Sequence, residues 1–480
     1  APSASVATAA AEIKADLCVI GAGSGGLSVA AAAAAFGEKV VLIEKHKMGG
    51  DCLNTGCVPS KAMLAAAKAA ESHRKSDGFG IAGHEPGVDF AAVMNHVQRV
   101  IASIAPHDSQ ARFEAIGVRV IRAAARFVDS RTVTAGDMTI RARRFVIATG
   151  STPAIPDIPG LEETSFLTSR TIFDLAEPPR HLIVIGGGAT GVEFSQAFAR
   201  LGSRVTLLDA GAILADEDPE MARIALAQLA RDGVALRERV AIERVEDRAG
   251  SVSLALSGGE ICEGTHLLIA AGRSPEIDGL DLDKAGVAFG PQGIAVDHGL
   301  RASNRRIYAI GGCAAGQPSD IHVAGHQASL VIKSALFRMR GSFDAAATPR
   351  VVFTDPEIAS CGLLEPEARA QRSDVVTLRW PFAENDRACA ERAIDGHVKL
   401  MIARKGRILG VAIVGRGASE QIGLWSLALA KNMQVRDIAE LILPYPTMAD
   451  ASKRAALAAL TPWTQQTRTR RLIAFLRKFG

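Results

Sequence analysis

Short apolar runs that end abruptly in glycine punctuate this chain. Asp16-Leu17-Cys18-Val19-Ile20 runs straight into Gly21-Ala22-Gly23-Ser24-Gly25-Gly26. An alanine-rich stretch follows, then Lys39-Val40-Val41-Leu42-Ile43, which ends at Glu44. An apolar run bounded by turn residues reads as a buried strand, so the segment predicts strand, tight turn, helix, strand. The pattern then recurs. His181-Leu182-Ile183-Val184-Ile185 leads into Gly186-Gly187-Gly188-Ala189-Thr190-Gly191, a helical stretch, and Arg204-Val205-Thr206-Leu207-Leu208 ending at Asp209. Between the two units, Arg144-Phe145-Val146-Ile147-Ala148-Thr149-Gly150 predicts a closing strand. Residues 151–160, with Pro153, Pro156 and Pro159, predict a linker. Ile307-Tyr308-Ala309-Ile310-Gly311 predicts a further strand. From about Thr348 the pattern changes. Strands such as Val398-Lys399-Leu400-Met401-Ile402 and Ile408-Leu409-Gly410-Val411-Ala412-Ile413 alternate with helices such as residues 422–431, as in an α+β module.

The glycine runs carry the first chemical signal. A lone G-x-G-x-x-G turn is weak. Between a strand and a helix, with an acid about twenty residues on, it reads as a dinucleotide site. Its glycines let backbone amides reach a pyrophosphate at a helix N-terminus, while the acid accepts ribose hydroxyls. Gly21, Gly23 and Gly26 with Glu44 form the first set; Gly186, Gly188 and Gly191 with Asp209 form the second. Two fingerprints imply two dinucleotides. Asp209 repels a 2′-phosphate and residues 210–214 hold no arginine, which favours NAD(H) over NADP(H), with Arg204 the one cation that weighs against this.

Between the fingerprints stands Gly49-Gly50-Asp51-Cys52-Leu53-Asn54-Thr55-Gly56-Cys57-Val58-Pro59-Ser60-Lys61. Two thiols at this spacing can close a small ring if the segment turns back, as the first turn of a helix allows. Gly49, Gly50 and Gly56 let backbone approach a flat partner. Pro59 and the helix formers after it predict a helix starting here, whose positive end favours thiolate. The pair reads as a redox disulfide beside the first nucleotide, giving a relay between nicotinamide, flavin and disulfide. Two unpaired buried cysteines or half of a zinc site are the alternatives. Zinc sites use closer Cys-x-x-Cys pairs with His or Cys partners, and none follows here.

At 480 residues the chain has room for several domains. Its net charge of +4, with no basic cluster interleaved with aromatics, argues against a nucleic-acid partner. No apolar run approaches the roughly eighteen residues of a membrane span. Residues 1–10 are small and Ala/Ser-rich, expected to be disordered, and lack the segments of a secretory signal. Cys18, Cys262, Cys313, Cys361 and Cys389 are scattered and read as reduced core thiols, which fits a cytoplasmic location. Residues 468–478 are basic and amphipathic. They read as a solvated helix flanking a dimer, with an acidic membrane surface as the alternative.

Both fingerprints, the Cys52-x4-Cys57-Val58-Pro59-Ser60-Lys61 box, Ala148-Thr149-Gly150, Gly272-Arg273 and Pro446-Thr447 together resemble the pyridine nucleotide–disulfide oxidoreductases. That is the family of dihydrolipoamide dehydrogenase, glutathione reductase and mercuric reductase, and the likeness covers almost the full length. It implies an α/β fold with two Rossmann-like domains plus a C-terminal α+β dimerisation domain. FAD would take residues 1–155, completed by 276–347, NAD residues 156–275, and the dimer contact residues 348–480. It further implies a homodimer with shared active sites that passes electrons between NAD(H), FAD and a small-molecule or protein-bound disulfide or dithiol. By position, Cys57 lies next to the flavin in a charge-transfer complex and Cys52 is the interchange thiol. Lys61 sits near flavin N5, paired with Glu193. The cofactor contacts carried over are Gly21, Gly23, Ser24, Gly25, Gly26, Glu44, Lys45, Gly50, Lys61, Thr149, Gly150, Gly312 and Ala324, with Gly186, Gly188, Gly191, Asp209, Gly272 and Arg273. No metal is implied.

Three departures bear on activity. Where dihydrolipoamide dehydrogenase carries a His-Pro-Thr box with a downstream Glu, this chain has Tyr445-Pro446-Thr447 and Asp450. A tyrosine, with a pKa of about 10, is a poor base near neutrality but can donate to a leaving thiolate. The family aspartate that holds the flavin ribityl chain is here Gly312, which predicts weaker flavin retention. The cysteine pair with which mercuric reductases end is missing from residues 470–480, which disfavours mercury reduction. The lead reading is a dihydrolipoamide-dehydrogenase-like enzyme. The alternatives are a mercuric-reductase-like or quinone-type diaphorase activity, or a flavin-binding redox scaffold without turnover.

Overall fold

The glycine-ended runs that open the two repeated units, and the closing strand, become inner strands, while Ile307–Ala309 pairs on one side only. In the computed structural model, which describes residues 11–248, 250–343, 345–461 and 466–479, Ala11–Ile20 lies between Val40–Ile43 and Met138–Ile147, parallel to both. It starts earlier than its apolar run because Ala11, Glu12, Ile13 and Lys14 pair with Met138, Thr139, Ile140 and Arg141. The expectation for residues 1–10 lies outside the described residues. Alternation sorts the strand's side chains between two cores. Leu17 and Val19 pack with Leu27 and Val29 of the Ser24–Ala35 helix, while Cys18 and Ile20 pack with Phe127 and Phe145. Ile307–Ala309 returns to pair with Phe145, Val146 and Ile147, so residues far along the chain complete the first sheet.

The second sheet runs Val234–Arg237, Arg204–Leu208, His181–Ile185, His266–Ile269, all parallel. The chain crosses between the sheets twice. The two crossings, Ser151–Pro153 and Arg273–Pro275, pair antiparallel as a short ribbon, so the proline linker begins as a strand. The third module is a five-stranded antiparallel sheet, with the Ala418–Ala430 helix burying Trp425 in its core. Lys399 of that sheet, 3% exposed, reaches Asp218, Glu220 and Glu365 at 2.8, 2.9 and 2.8 Å. Removing one partner from such a buried cluster strands charge, so the knot holds the second sheet against the third module. Among the described residues, no helix is long and apolar enough to cross a membrane.

Candidate functional site

The two fingerprints fold as near copies. Gly21 has φ +102 and Gly186 φ +112, and a Cβ at either would lie 2.4 or 2.3 Å from a carbonyl oxygen of the adjacent strand's end, Ala148 or Ala270. The last glycine of each set is tighter: a Cβ on Gly26 or Gly191 would sit 1.8 Å from the carbonyl of Gly21 or Gly186. Gly23 and Gly188 cap their helices without a side-chain hydrogen bond, which leaves the first-turn amides to an anion. Each acid braces its own loop, a contact that the spacing did not reveal. Glu44 accepts from the Ala22 and His46 amides at 2.7 Å, and Asp209 from the Gly187 and Gly211 amides at 2.6 Å. Gly191→Ala must displace backbone, so we expect the KM for NADH to rise at least roughly 100-fold, the loss of about 3 kcal/mol of binding. FAD content, measured by absorbance, should remain that of the wild type.

The flavin-site candidates converge. A Cβ on Gly50 would lie 2.7 Å from Gly23 Cα, so the cysteine segment presses against the first glycine loop. Gly25 faces Ala324 in the first turn of the Ile321–Ala335 helix, and Gly311 faces the same Ala324. Gly150, φ +75, follows Thr149 at the end of the closing strand, and a Cβ on Gly312 would lie 3.4 Å from its carbonyl carbon. This glycine-lined cradle, leading from the first loop to the thiols, fits an extended dinucleotide such as FAD. His322 turns away, its Nε2 2.9 Å from the Pro349 carbonyl, which leaves backbone as that helix's contact surface.

The thiols do not share one helical turn. Cys52 lies in a short helix, Gly50–Asn54, and Cys57 opens a second, Cys57–Arg74. Gly56 makes the bend: a Cβ there would come 2.9 Å from the Asp51 carbonyl. Both cysteines stand as thiols, with Cys52 donating to Cys57. That hydrogen bond, helped by the Lys61 charge against the cost of burial, lowers Cys57 to about 7. The same bond, with burial, raises Cys52. One turn on, Lys61 Nζ lies 2.7 Å from Glu193 Oε2 and 4.2 Å from the Phe353 ring centre, while Glu193 Oε1 accepts from the Phe353 amide. Glu193, 8% exposed on its side chain, is thereby held from two sides. A lowered pKa means that thiolate appears at lower pH. Alkylation of the reduced protein at Cys57 should rise with a midpoint near pH 7, where Cys52 stays slow. Lys61→Met should move that midpoint upward, read by mass spectrometry of the labelled peptides.

A charged chain that the sequence reading did not foresee crosses this region. Lys45 pairs with Glu276 at 2.7 Å, Glu276 with Arg170 at 3.1 Å, and Arg170 with Asp51 at 3.5 Å. Asp51 also pairs with Arg273, which bonds Ser151. Gly272, φ +114, precedes that arginine. The chain ends beside Gly312, where a Cβ would meet Ser151 Oγ at 2.8 Å, so an aspartate there would displace Ser151 from Arg273. Asp51 stands inside the cysteine box, and Lys45 and Arg273 were expected as cofactor contacts, but the pairing joins remote segments. At the second site, the strand that pairs with Arg204–Leu208 brings Arg237 and Arg239 against Asp209 and Gly211 through backbone bonds. Arg204 begins its strand, at the end away from Asp209.

Tyr445 is 67% exposed on the third module, and its hydroxyl donates to Asp386. That bond raises the phenol's pKa and keeps it protonated near neutrality. Asp450, in the place of the family's downstream glutamate, pairs with Arg454 at 3.2 Å. Asp386, remote in sequence, was missed.

Residues 15–328 match the family described as pyridine nucleotide-disulphide oxidoreductase, and residues 348–456 match its dimerisation domain. A mercuric reductase from Lysinibacillus sphaericus is 34% identical over 92% of this chain and 82% of its own length. A dihydrolipoyl dehydrogenase from Geobacillus stearothermophilus is 35% identical over 93% and 97%. Among solved structures, LpdA from Mycobacterium tuberculosis superposes with a TM-score of 0.85 at 28% identity, over 92% of this chain and 99% of that one. The HOCl-induced flavoprotein disulfide reductase RclA from Escherichia coli gives 0.83 at 25%, over 92% and 99%.

Proposed function

Because this chain belongs to the pyridine nucleotide-disulphide oxidoreductases, we propose that it is an NADH-dependent, FAD-containing reductase of disulfides that works through Cys52 and Cys57. The observation that carries this reading is the thiol pair at the head of the Cys57–Arg74 helix, with the Lys61–Glu193 ion pair one turn on and a glycine cradle leading to it. FAD, when bound, would supply the ring that takes hydride from nicotinamide and delivers two electrons to the Cys52–Cys57 disulfide, which opens to the thiol pair. The chain's residues do the rest. Gly186, Gly188 and Gly191 receive the nicotinamide dinucleotide's pyrophosphate and Asp209 its ribose. Asp209 is the support for NADH over NADPH, while Arg237 and Arg239 beside it weigh the other way. Lys61 stabilises negative charge on the reduced ring.

Substrate chemistry then balances as a dithiol–disulfide exchange. With Cys57 as the thiolate, Cys52 passes its proton to it and attacks one sulfur of the substrate, forming a mixed disulfide. The first substrate thiolate leaves and takes a proton from Tyr445 of the partner subunit, which regains one from water. Cys57 loses its proton to the second leaving sulfur as it attacks Cys52, and the Cys52–Cys57 disulfide re-forms. The dimerisation domain supports a homodimer, to which the proposal adds sites shared in this way, and the buried thiols Cys18, Cys313 and Cys361 suit the cytoplasm. Mercuric ion is the second reading, favoured by relatives of that name and a tyrosine at position 445. The test compares lipoamide, oxidised glutathione, mercuric ion and a quinone as acceptors, each with NADH and NADPH. The lead reading expects a disulfide with NADH to give the highest kcat/KM. Turnover with quinone alone, in Cys52→Ser as in wild type, would leave a diaphorase.

A further inference from the structure

We infer that the last described helix, Thr467–Leu476, docks the enzyme on an anionic lipid surface. Its apolar side chains are not used inside the protein. Leu472, Ile473, Phe475 and Leu476 are 56, 47, 54 and 54% exposed, and Phe479 just beyond is 74% exposed. Within the helix only Thr469 is buried. At 100° per residue these five side chains fall on one arc of roughly 160°, with Arg470, Arg471, Arg477 and Lys478 on the other side; Arg468 and the buried Thr469, in the first turn, fall within the arc. The Phe475 and Phe479 rings pack edge to face at 5.1 Å, so the apolar face is a continuous ridge. The helix also lies past residue 456, where the match to the dimerisation domain ends.

Charge selects the occupant. After Asp450 the chain contains no acid and seven Lys or Arg residues. A nucleic acid would engage the basic side and leave five large apolar side chains in water. A second copy would have to offer an apolar groove with an acidic rim. An anionic bilayer surface meets both faces at once: the aromatic and leucine ridge enters the boundary between headgroups and acyl chains, and the arginines meet lipid phosphates. The 10-residue helix is about 15 Å long, half of a hydrocarbon core, so it lies on the surface.

The test sediments the FAD-loaded protein with vesicles of phosphatidylcholine alone or with about 30 mol% of the anionic lipid phosphatidylglycerol. We expect at least about tenfold tighter binding to the anionic vesicles, weakened by added salt. Phe475→Asp with Leu476→Asp should lower it by about tenfold or more, and so should Arg470→Glu with Arg471→Glu on the opposite face. Dimer mass and NADH oxidation with ferricyanide should match the wild type. Equal, weak binding to both vesicles would overturn the inference. A change of dimer mass in the apolar-face variant would instead make the face a subunit contact. Duplex DNA that binds more tightly than the anionic vesicles would make it a nucleic-acid surface.

Discussion

Cys52→Ser should lower NADH-dependent disulfide reduction by about 10⁴-fold or more, the scale on which enzymes lose rate when a covalent nucleophile is removed. Cys389 is exposed in the Asp386–Ala390 helix and Cys262 half-buried in the Ile261–Gly264 strand, so neither is the core thiol expected of it, and neither belongs to the segment that carries Cys52 and Cys57. Cys18, Cys313 and Cys361 are buried in packed cores, with Cys18 and Cys361 raised by burial alone or chiefly so. Cys57, though more acidic, sits on the helix that presents it to the flavin cradle. NADH oxidation with ferricyanide should persist, because that electron transfer bypasses the thiols. Cys52→Ala, which unlike serine puts no donor in place of the thiol, should leave a second mark: Cys57 alkylation should shift to higher pH, since the bond from Cys52 is the largest cause of its acidity. A Cys52→Ser protein that still reduces disulfides within tenfold of wild type would remove the thiol pair from the mechanism.

Tyr445→Phe should slow disulfide reduction by roughly 10²–10⁴-fold, the size of a general-acid contribution. Its hydroxyl is protonated and exposed, and Asp386 fixes its position by accepting its one proton, which must turn from Asp386 to a leaving thiolate supplied from a partner's site. Asp386→Asn should reproduce a smaller part of the loss by releasing the phenol, whereas Asp450→Asn, whose carboxylate pairs with Arg454, should change little. Ferricyanide reduction and dimer mass, measured on the same preparations, separate a proton-transfer defect from a loosened interface. An unaltered disulfide rate in Tyr445→Phe would assign the tyrosine to packing and turn attention to non-disulfide acceptors.

What was legible in the sequence was local. Both glycine loops follow from strand–turn–helix runs in which a Cβ has no room, and such sterics are written within a few residues. The thiol pair, its helix, the three-part architecture and the Lys61–Glu193 partnership were readable because motifs carried them. The bend between Cys52 and Cys57 was less so, since Gly56 permits it but contact with the Asp51 carbonyl decides it. What only the tertiary structure decided was every pairing across modules. Asp51 met Arg273 and Arg170 because the two crossing segments fold back as a ribbon beside the cysteine box. Tyr445 found Asp386 rather than Asp450 because Asp450 opens a helix and reaches its own i+4 arginine. Long charged side chains choose partners by distance in space, and spacing along a chain does not encode that distance.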